Sequence, residues 1–411
     1  MARRAKIVCT LGPATASAER LRELVEAGMD VARLDLGHGT RADHAATYHL
    51  VREVAARAGR TVGVLADLRG PQIRYGRLAT GAALAEQRAA DLRFVLGLGV
   101  DLVALSFVSS AGDVAVAREV MADLGVWRPV LAKLETPTAV EHLDAIVDAF
   151  DGVVVARDDL GVELPLDEIP LVQKRAVRRC RELAKPVVVA AQMLDSMVEQ
   201  PRPTRAEASD VANAVLDGAD ALLLADETSV GAFPVAAAAM MARIVESAEA
   251  SASARPPVPA AGPVENADAV TVAATEVAQS LTVGAICCFT RSGATARQLA
   301  RHQPEMPLLA FTPDRGVPAR LALTWGVETF TVPVVRHTDE MVHQVQDTLL
   351  SLGRFQVGDL VLIVAGSPPG LPGSTNTMRL LRLGDRVMAR PPAHAAVRLL
   401  QRAAPSPEPV P

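Results

Sequence analysis

The chain has 411 residues, half of them hydrophobic, and 42 Lys and Arg against 47 Asp and Glu, a formal charge of −5. This is long and apolar enough for a globular protein of two or three domains, and too evenly charged to be a polyelectrolyte. No basic run or aromatic–basic interleaving marks a nucleic-acid partner, which leaves a small metabolite as the expected ligand.

Strand-like runs alternate with amphipathic helical stretches from the first residues onward. Ala5–Leu11 precedes a helix opened by Ser17, Val31–Gly37 precedes a long helix through Ala55, and Val62–Leu68 precedes a helix from Leu84. The rhythm continues through LVALSFV, PVLAKLE, GVVVARDD, VVVAAQM and ALLLADE, the last followed by the helix from Pro234. Ser17, Thr204 and Pro234 are residues suited to helix starts. Eight βα units in about 250 residues predict a closed (β/α)₈ barrel over residues 1–250. The Ala- and Pro-rich stretch 251–265 reads as a linker. From 266 to 390 the alternation resumes, with VPARLALTW among its helices, and predicts a smaller open α/β domain. A frayed tail is expected over 391–411.

The charges fall where apolar runs stop: Arg33 and Asp35, Lys133 and Glu135, then Arg157, Asp158 and Asp159. In a barrel these are the strand ends that carry active sites, so an enzyme is expected. The start of the chain reaches Gly12 and Pro13 too early for a signal sequence, and no apolar run of about 18 residues appears. Cys9, Cys180, Cys287 and Cys288 show no metal-ligand spacing, so a cytoplasmic protein that does not enter a membrane is expected.

Long collinear motifs then resemble one family, pyruvate kinase: IVCTLGPA (Ile7–Ala14), EAGMDVARLDLGHGT (Glu26–Thr40), DLRGPQIR (Asp67–Arg74), AKLE (Ala132–Glu135), VARDDLGVELP (Val155–Pro165), QMLDSM with PRPTRAEASDVANAVLDGAD, and in the second domain TRSGATA (Thr290–Ala296) and PGSTNTMR (Pro372–Arg379). The resemblance implies that Glu135 and Asp159 bind a divalent metal, Mg²⁺ or Mn²⁺, a role that two hard oxygen donors at neighbouring strand ends suit. It implies that Lys133 stabilises charge on the phosphoryl group and the enolate, and that Arg33 contacts substrate. His38 and Arg74 match positions near the nucleotide. Thr290, Ser292, Gly293 and Thr295 match a loop that cradles the phosphate of an effector. A homo-oligomer is implied as well.

Departures from the family pattern fall on functional positions. A lid domain of about 100 residues, a typical domain size, is replaced by a short loop near 75–83. Ala191 stands where a threonine handles a proton, and alanine can neither hold nor relay one. Ala225 and Asp226 replace a Ser-Gly pair. Asp158 replaces a glycine that lies against the substrate carboxylate. Asp35, Gly37 and Leu68 stand where the family has asparagine, serine and threonine in a monovalent-cation site, with only Asp67 matching, so K⁺ is not expected. The reading that follows is a lidless homologue using Mg²⁺, Glu135, Asp159, Lys133 and Arg33 for aldol-type or decarboxylation chemistry on a pyruvate-like 2-oxo acid. Arg33, Asp158, Asp159 and Ala191 would contact the substrate, with Asp158 as acid, base or third metal ligand. The alternatives are a slow pyruvate kinase, phosphoenolpyruvate plus ADP to pyruvate plus ATP, and a silent metabolite-binding regulator.

Overall fold

A computed structural model describes residues 3–68, 70, 73–74, 77–78, 82–251, 266–369 and 373–385. Eight parallel strands close a barrel: β1 (Lys6–Thr10), β2 (Val31–Asp35), β3 (Gly63–Leu68), β4 (Leu102–Leu105), β5 (Val130–Leu134), β6 (Gly152–Ala156), β7 (Val187–Ala190) and β8 (Ala221–Leu224), with β8 pairing back onto β1. Ser17 and Thr204 cap helices Ala18–Ala27 and Arg205–Asp217, and Pro234 opens Pro234–Ala250. The expected strand-helix alternation is therefore present. The expected linker lies outside the described residues save for Ser251, the tail lies wholly outside them, and the loop near 75–83 lies outside them save for the ends of its flanking elements.

The strands read as continuous apolar runs because both of their faces are covered. One set of alternate residues, including Ile7, Cys9, Ala32, Leu34, Val64 and Ala66, packs under the surrounding helices. The other, including Val8, Val31, Leu65, Leu131, Val154 and Leu223, fills the barrel lumen. Followed toward the C-terminal ends, the lumen set turns polar: Val8 gives way to Thr10, Val31 to Arg33 and Asp35, Leu65 to Asp67, and Leu131 to Lys133 and Glu135. A period of two therefore delivers these side chains to one space above the core.

The second domain is a five-stranded sheet of β9 (Ala285–Phe289), β10 (Leu308–Thr312), β11 (Val327–Thr331), β12 (Leu360–Gly366) and β13 (Thr375–Arg382), in the order β11-β10-β9-β12-β13, with only β13 antiparallel. The expected helix over VPARLALTW is shorter, Val317–Arg320. The chain turns there because Leu323 leaves the small domain and joins the lumen cluster of the barrel, where it is completely buried. Trp325 N–H donates to Asp220 at the foot of β8 (3.0 Å), and Gly326 N–H donates to the Arg4 carbonyl (2.9 Å). Leu323→Ala is expected to destabilise the protein by about 3 kcal/mol, the usual cost of a buried cavity, as read by urea unfolding. A change below about 1 kcal/mol would show that the plug is not packed.

Candidate active site

Arg33, Asp67, Lys133, Asp158, Asp159 and Ala191 line one cavity of about 70 Å³, floored by lumen residues including Leu65, Val154 and Leu223. Its hub is Asp67. One oxygen accepts from Arg33 Nε (2.8 Å) and Nη2 (2.6 Å) and lies 3.2 Å from Lys133 Nζ, while the other accepts from the Ser106 hydroxyl (3.2 Å). Burial opposes ionisation of Asp67, but the two cations overcome it and hold its pKa below the usual range. Arg33 also donates to Thr10 Oγ1 (3.0 Å) and Asp35 Oδ2 (3.1 Å). The two acids read from sequence as remnants of a cation site hold this guanidinium between them. Three donors converge on a buried oxygen there, and a charged acceptor is the group that satisfies them.

Lys133 Nζ donates to Ser106 Oγ (3.0 Å) and pairs with Glu135 Oε1 (2.6 Å). Burial alone would lower its pKa, but Asp67 and Glu135 reverse the sign and keep the ammonium charged well above neutral pH. The second oxygen of Glu135 accepts from Phe107 N–H (2.6 Å), a residue held at φ 54°. Burial pushes the Glu135 carboxyl up to about 7, Lys133 pulls it down in part, and the nearby charge of Asp159 adds to the rise. Asp159 is raised too, by burial and then by Asp158, and it hydrogen-bonds with Glu135.

That pair of carboxyls tests the metal expectation. Two neighbouring acids whose pKa values are raised, chiefly by burial, are a place where a cation can take the place of a proton. Among the described residues no group of three or more His, Cys, Asp or Glu is arranged as a metal cluster. A hard ion would draw its remaining oxygens from substrate and water, as Mg²⁺ commonly does. The donor set therefore fits.

The wall beyond β7, two strands from Lys133, is under backbone strain. Ala191 and Gln192 take φ 72° and 52°, left-handed values that cost about 1–3 kcal/mol each for residues with a side chain. Arg157 holds them there. Its Nη2 donates to the Ala191 carbonyl (2.7 Å) and its Nη1 pairs with Asp210 (2.6 Å). Arg157, Asp158 and Asp159 form the first turn of a short helix, Arg157–Glu163, so Asp158 is exposed at the mouth while its Oδ1 accepts from Asp159 N–H (2.9 Å). Glu227 ties the next two loops by accepting from Leu194 N–H (3.0 Å) and Ala225 N–H (2.7 Å). Sequence reasoning missed Ser106, Thr10 and the clamp formed by Arg157. The usable signal for the first two was a hydroxyl at a lumen position one step past the apolar run.

Other expected residues lie elsewhere. His38 is almost fully exposed, 3.7 Å from Asp35, and is not part of the cavity wall. Arg74 falls in a short antiparallel ladder, Ile73–Arg74 with Arg77–Leu78, and its side chain is outside the described residues. In the second domain Thr290 Oγ1 accepts from Gly293 N–H (2.9 Å), Ser292 Oγ accepts from Ala294 N–H (3.4 Å), and Thr295 meets Thr375 (2.8 Å). Thr290, Ser292 and Thr295 line a separate cavity of about 230 Å³, and Gly293 takes φ 89° at the turn between them. No described helix is long and apolar enough to cross a membrane.

Comparison with known proteins agrees along the chain. The pyruvate kinase barrel-domain model matches residues 2–83 and 80–238, and the pyruvate kinase alpha/beta-domain model matches 268–381. Pyruvate kinase of Mycobacterium intracellulare is 47% identical over 94% of this chain and 99% of its own length. That of Corynebacterium glutamicum is 44% identical over 94% and 98%, and that of Geobacillus stearothermophilus 35% identical over 94% and 81%. The first of these alignments runs to 470 residues against 94% of a 411-residue chain, so some tens of the relative's positions have no counterpart here. The matches to the barrel model meet near residue 80, in the connection between β3 and the next helix. With both domain models matched in order and identity of this level over nearly the whole chain, the protein belongs to the pyruvate kinase family.

Proposed function

We propose that this protein transfers the phosphoryl group of phosphoenolpyruvate to ADP, giving pyruvate and ATP, slowly and from a cleft without the family's lid. The observation that carries this is the Lys133 ammonium, held charged between Asp67 and Glu135 in the same cavity as Arg33 and Asp159. The carbon–carbon chemistry expected from the missing lid and from Ala191 finds no support among the relatives, which are pyruvate kinases by name. Phosphotransfer is the better-supported reading.

In this reading Glu135 and Asp159 would hold Mg²⁺ or Mn²⁺, which when bound neutralises charge on substrate oxygens. Arg33 fixes the anionic substrate, oriented by Asp67 and Thr10. Lys133 stabilises the negative charge that moves onto the enolate oxygen as the phosphoryl group departs. Ala191 has no proton to give, so the enolate is protonated by water entering the open mouth, and this step limits turnover. The altered residues at the cation site make the reaction independent of K⁺. A coupled assay of phosphoenolpyruvate, ADP and Mg²⁺ tests the reading. Pyruvate formation that depends on ADP and metal supports it. Exchange of the pyruvate methyl protons in D₂O without any ADP-dependent turnover would return the weight to enolate chemistry, and neither activity would leave a binding role.

Asp158 bears on the same reading. A carboxylate at the mouth, next to Asp159, repels an incoming anion by about 1–2 kcal/mol at the intermediate dielectric of a cleft. Asp158→Gly is expected to lower KM for phosphoenolpyruvate about tenfold with little change in kcat. An unchanged KM in steady-state assays would show that Asp158 faces away from bound substrate.

A further inference from the structure

Outside the barrel mouth, charge is least balanced where the two domains meet. Helix Ile169–Glu182 brings Arg181 to this junction from the barrel, and helix Ala294–Ala300 brings Arg297 from the second domain. Both line a small, partly open space of about 10 Å³ together with Thr324, Asp220, Lys185 and Arg301. Arg181 is only 4% exposed, and its Nε and Nη2 both donate to one carbonyl, that of Arg301 (3.4 and 3.1 Å). No carboxylate forms an ion pair with it among the described residues. The Arg297 guanidinium has neither a hydrogen bond nor an ion pair among the described residues, while its backbone N–H donates within the helix to the Gly293 carbonyl (3.0 Å). The acid it senses, Asp151, is already bonded by Arg118 (2.6 Å) and Val130 N–H (2.7 Å).

The other charges on the wall are committed. Asp220 accepts from Trp325 N–H (3.0 Å) and Val187 N–H (3.1 Å). Lys185 donates to the carbonyls of Val147, Asp148 and Phe150 (2.8, 2.8 and 2.7 Å). Arg301 pairs with Asp268 (3.1 Å). Thr324, 2% exposed, keeps a buried hydroxyl with no hydrogen-bond partner. Burial depresses the pKa of both Arg181 and Arg297, and Asp220 near the first and Asp151 near the second offset it only in part.

We propose that this space binds one small monovalent anion of chloride size, held between Arg181 of the barrel and Arg297 of the second domain, with the Thr324 hydroxyl as a further donor. The volume admits about one water-sized sphere, which excludes phosphate esters and nucleotides. Both guanidinium-bearing residues line this space from different domains, so an anion in it would be attracted to both. Docking of the two domains is then anion-dependent.

Thermal unfolding of the full chain in sodium chloride and in sodium gluconate at equal ionic strength tests this, with Arg297→Gln and Thr324→Val measured alongside. The expected result is a Tm higher in chloride by roughly 2–4 °C at saturation, reproduced by bromide, and lost in Arg297→Gln. If that variant does not fold, Thr324→Val carries the comparison, and a weakened chloride response is expected. Equal Tm in the two salts overturns the proposal, since ionic strength alone then acts and the space holds only water. A chloride-specific shift left intact in the variant overturns it too, because the anion then binds elsewhere.

Discussion

Replacing Lys133 with alanine is expected to lower kcat for pyruvate formation about a thousand-fold, the upper range for removing one preorganised donor from an oxyanion site. The ammonium is pinned by three partners, Asp67 (3.2 Å), Glu135 (2.6 Å) and Ser106 (3.0 Å), so it is in place before charge develops. The fold is expected to survive. Asp67 keeps both contacts to Arg33, and Glu135, already pushed up to about 7, takes a proton when its cation is removed. Steady-state kinetics with circular dichroism on the same sample separate the two effects. A loss of less than tenfold in a folded variant would mean that another group carries the charge.

The second large effect concerns metal. Glu135→Gln is expected to weaken Mn²⁺ binding by at least about 100-fold, since removing even an outer partner of a metal ligand costs 10–100-fold. The wild-type protein should show a pH dependence with the same origin. A folded-state pKa of about 7 means that the ion displaces a proton below neutrality, so apparent affinity falls about tenfold per pH unit beneath 7 and levels off above it. The sign for stability is opposite. The native carboxyl holds its proton more tightly than the unfolded one, whose ordinary value is 4.5, so in the metal-free protein this group's contribution is present below about 4.5 and is lost as pH rises through about 7. Titration followed by the paramagnetic effect of Mn²⁺ on water relaxation reads the affinity. A flat profile between pH 5.5 and 8, or full affinity in Glu135→Gln, would remove Glu135 from the metal site.

Fold and site were unequally legible in the chain. Eight apolar runs with capped helices between them predict a closed barrel because each run must be covered on both faces, and the structure has that barrel. Lys133, Arg33 and Asp67 were legible as facing one space because strand parity sends alternate residues to one side, and Asp159 reaches it from the first turn of the helix after β6. The work of Asp67 was not. As a motif it matched a cation ligand, whereas its place between Arg33 and Lys133 makes it their counter-ion. The helix expected through Trp325 failed for a similar reason: its apolar period is met equally by a turn that inserts Leu323 into a neighbouring domain.

The sequence by itself therefore determined the order of elements, the barrel, and the residue types that reach its mouth, since periodicity and strand ends are local properties read along the chain. Tertiary structure alone decided which charge neutralises which, that Arg157 holds Ala191 and Gln192 in left-handed backbone, and that Leu323 closes the barrel from below while Arg181 and Arg297 line one space at the junction. The physical reason is distance in sequence. Arg33 and Asp67, Lys133 and Asp67, and Arg181 and Arg297 are each separated by at least 34 positions, and no local pattern encodes which of several like partners a buried charge will meet.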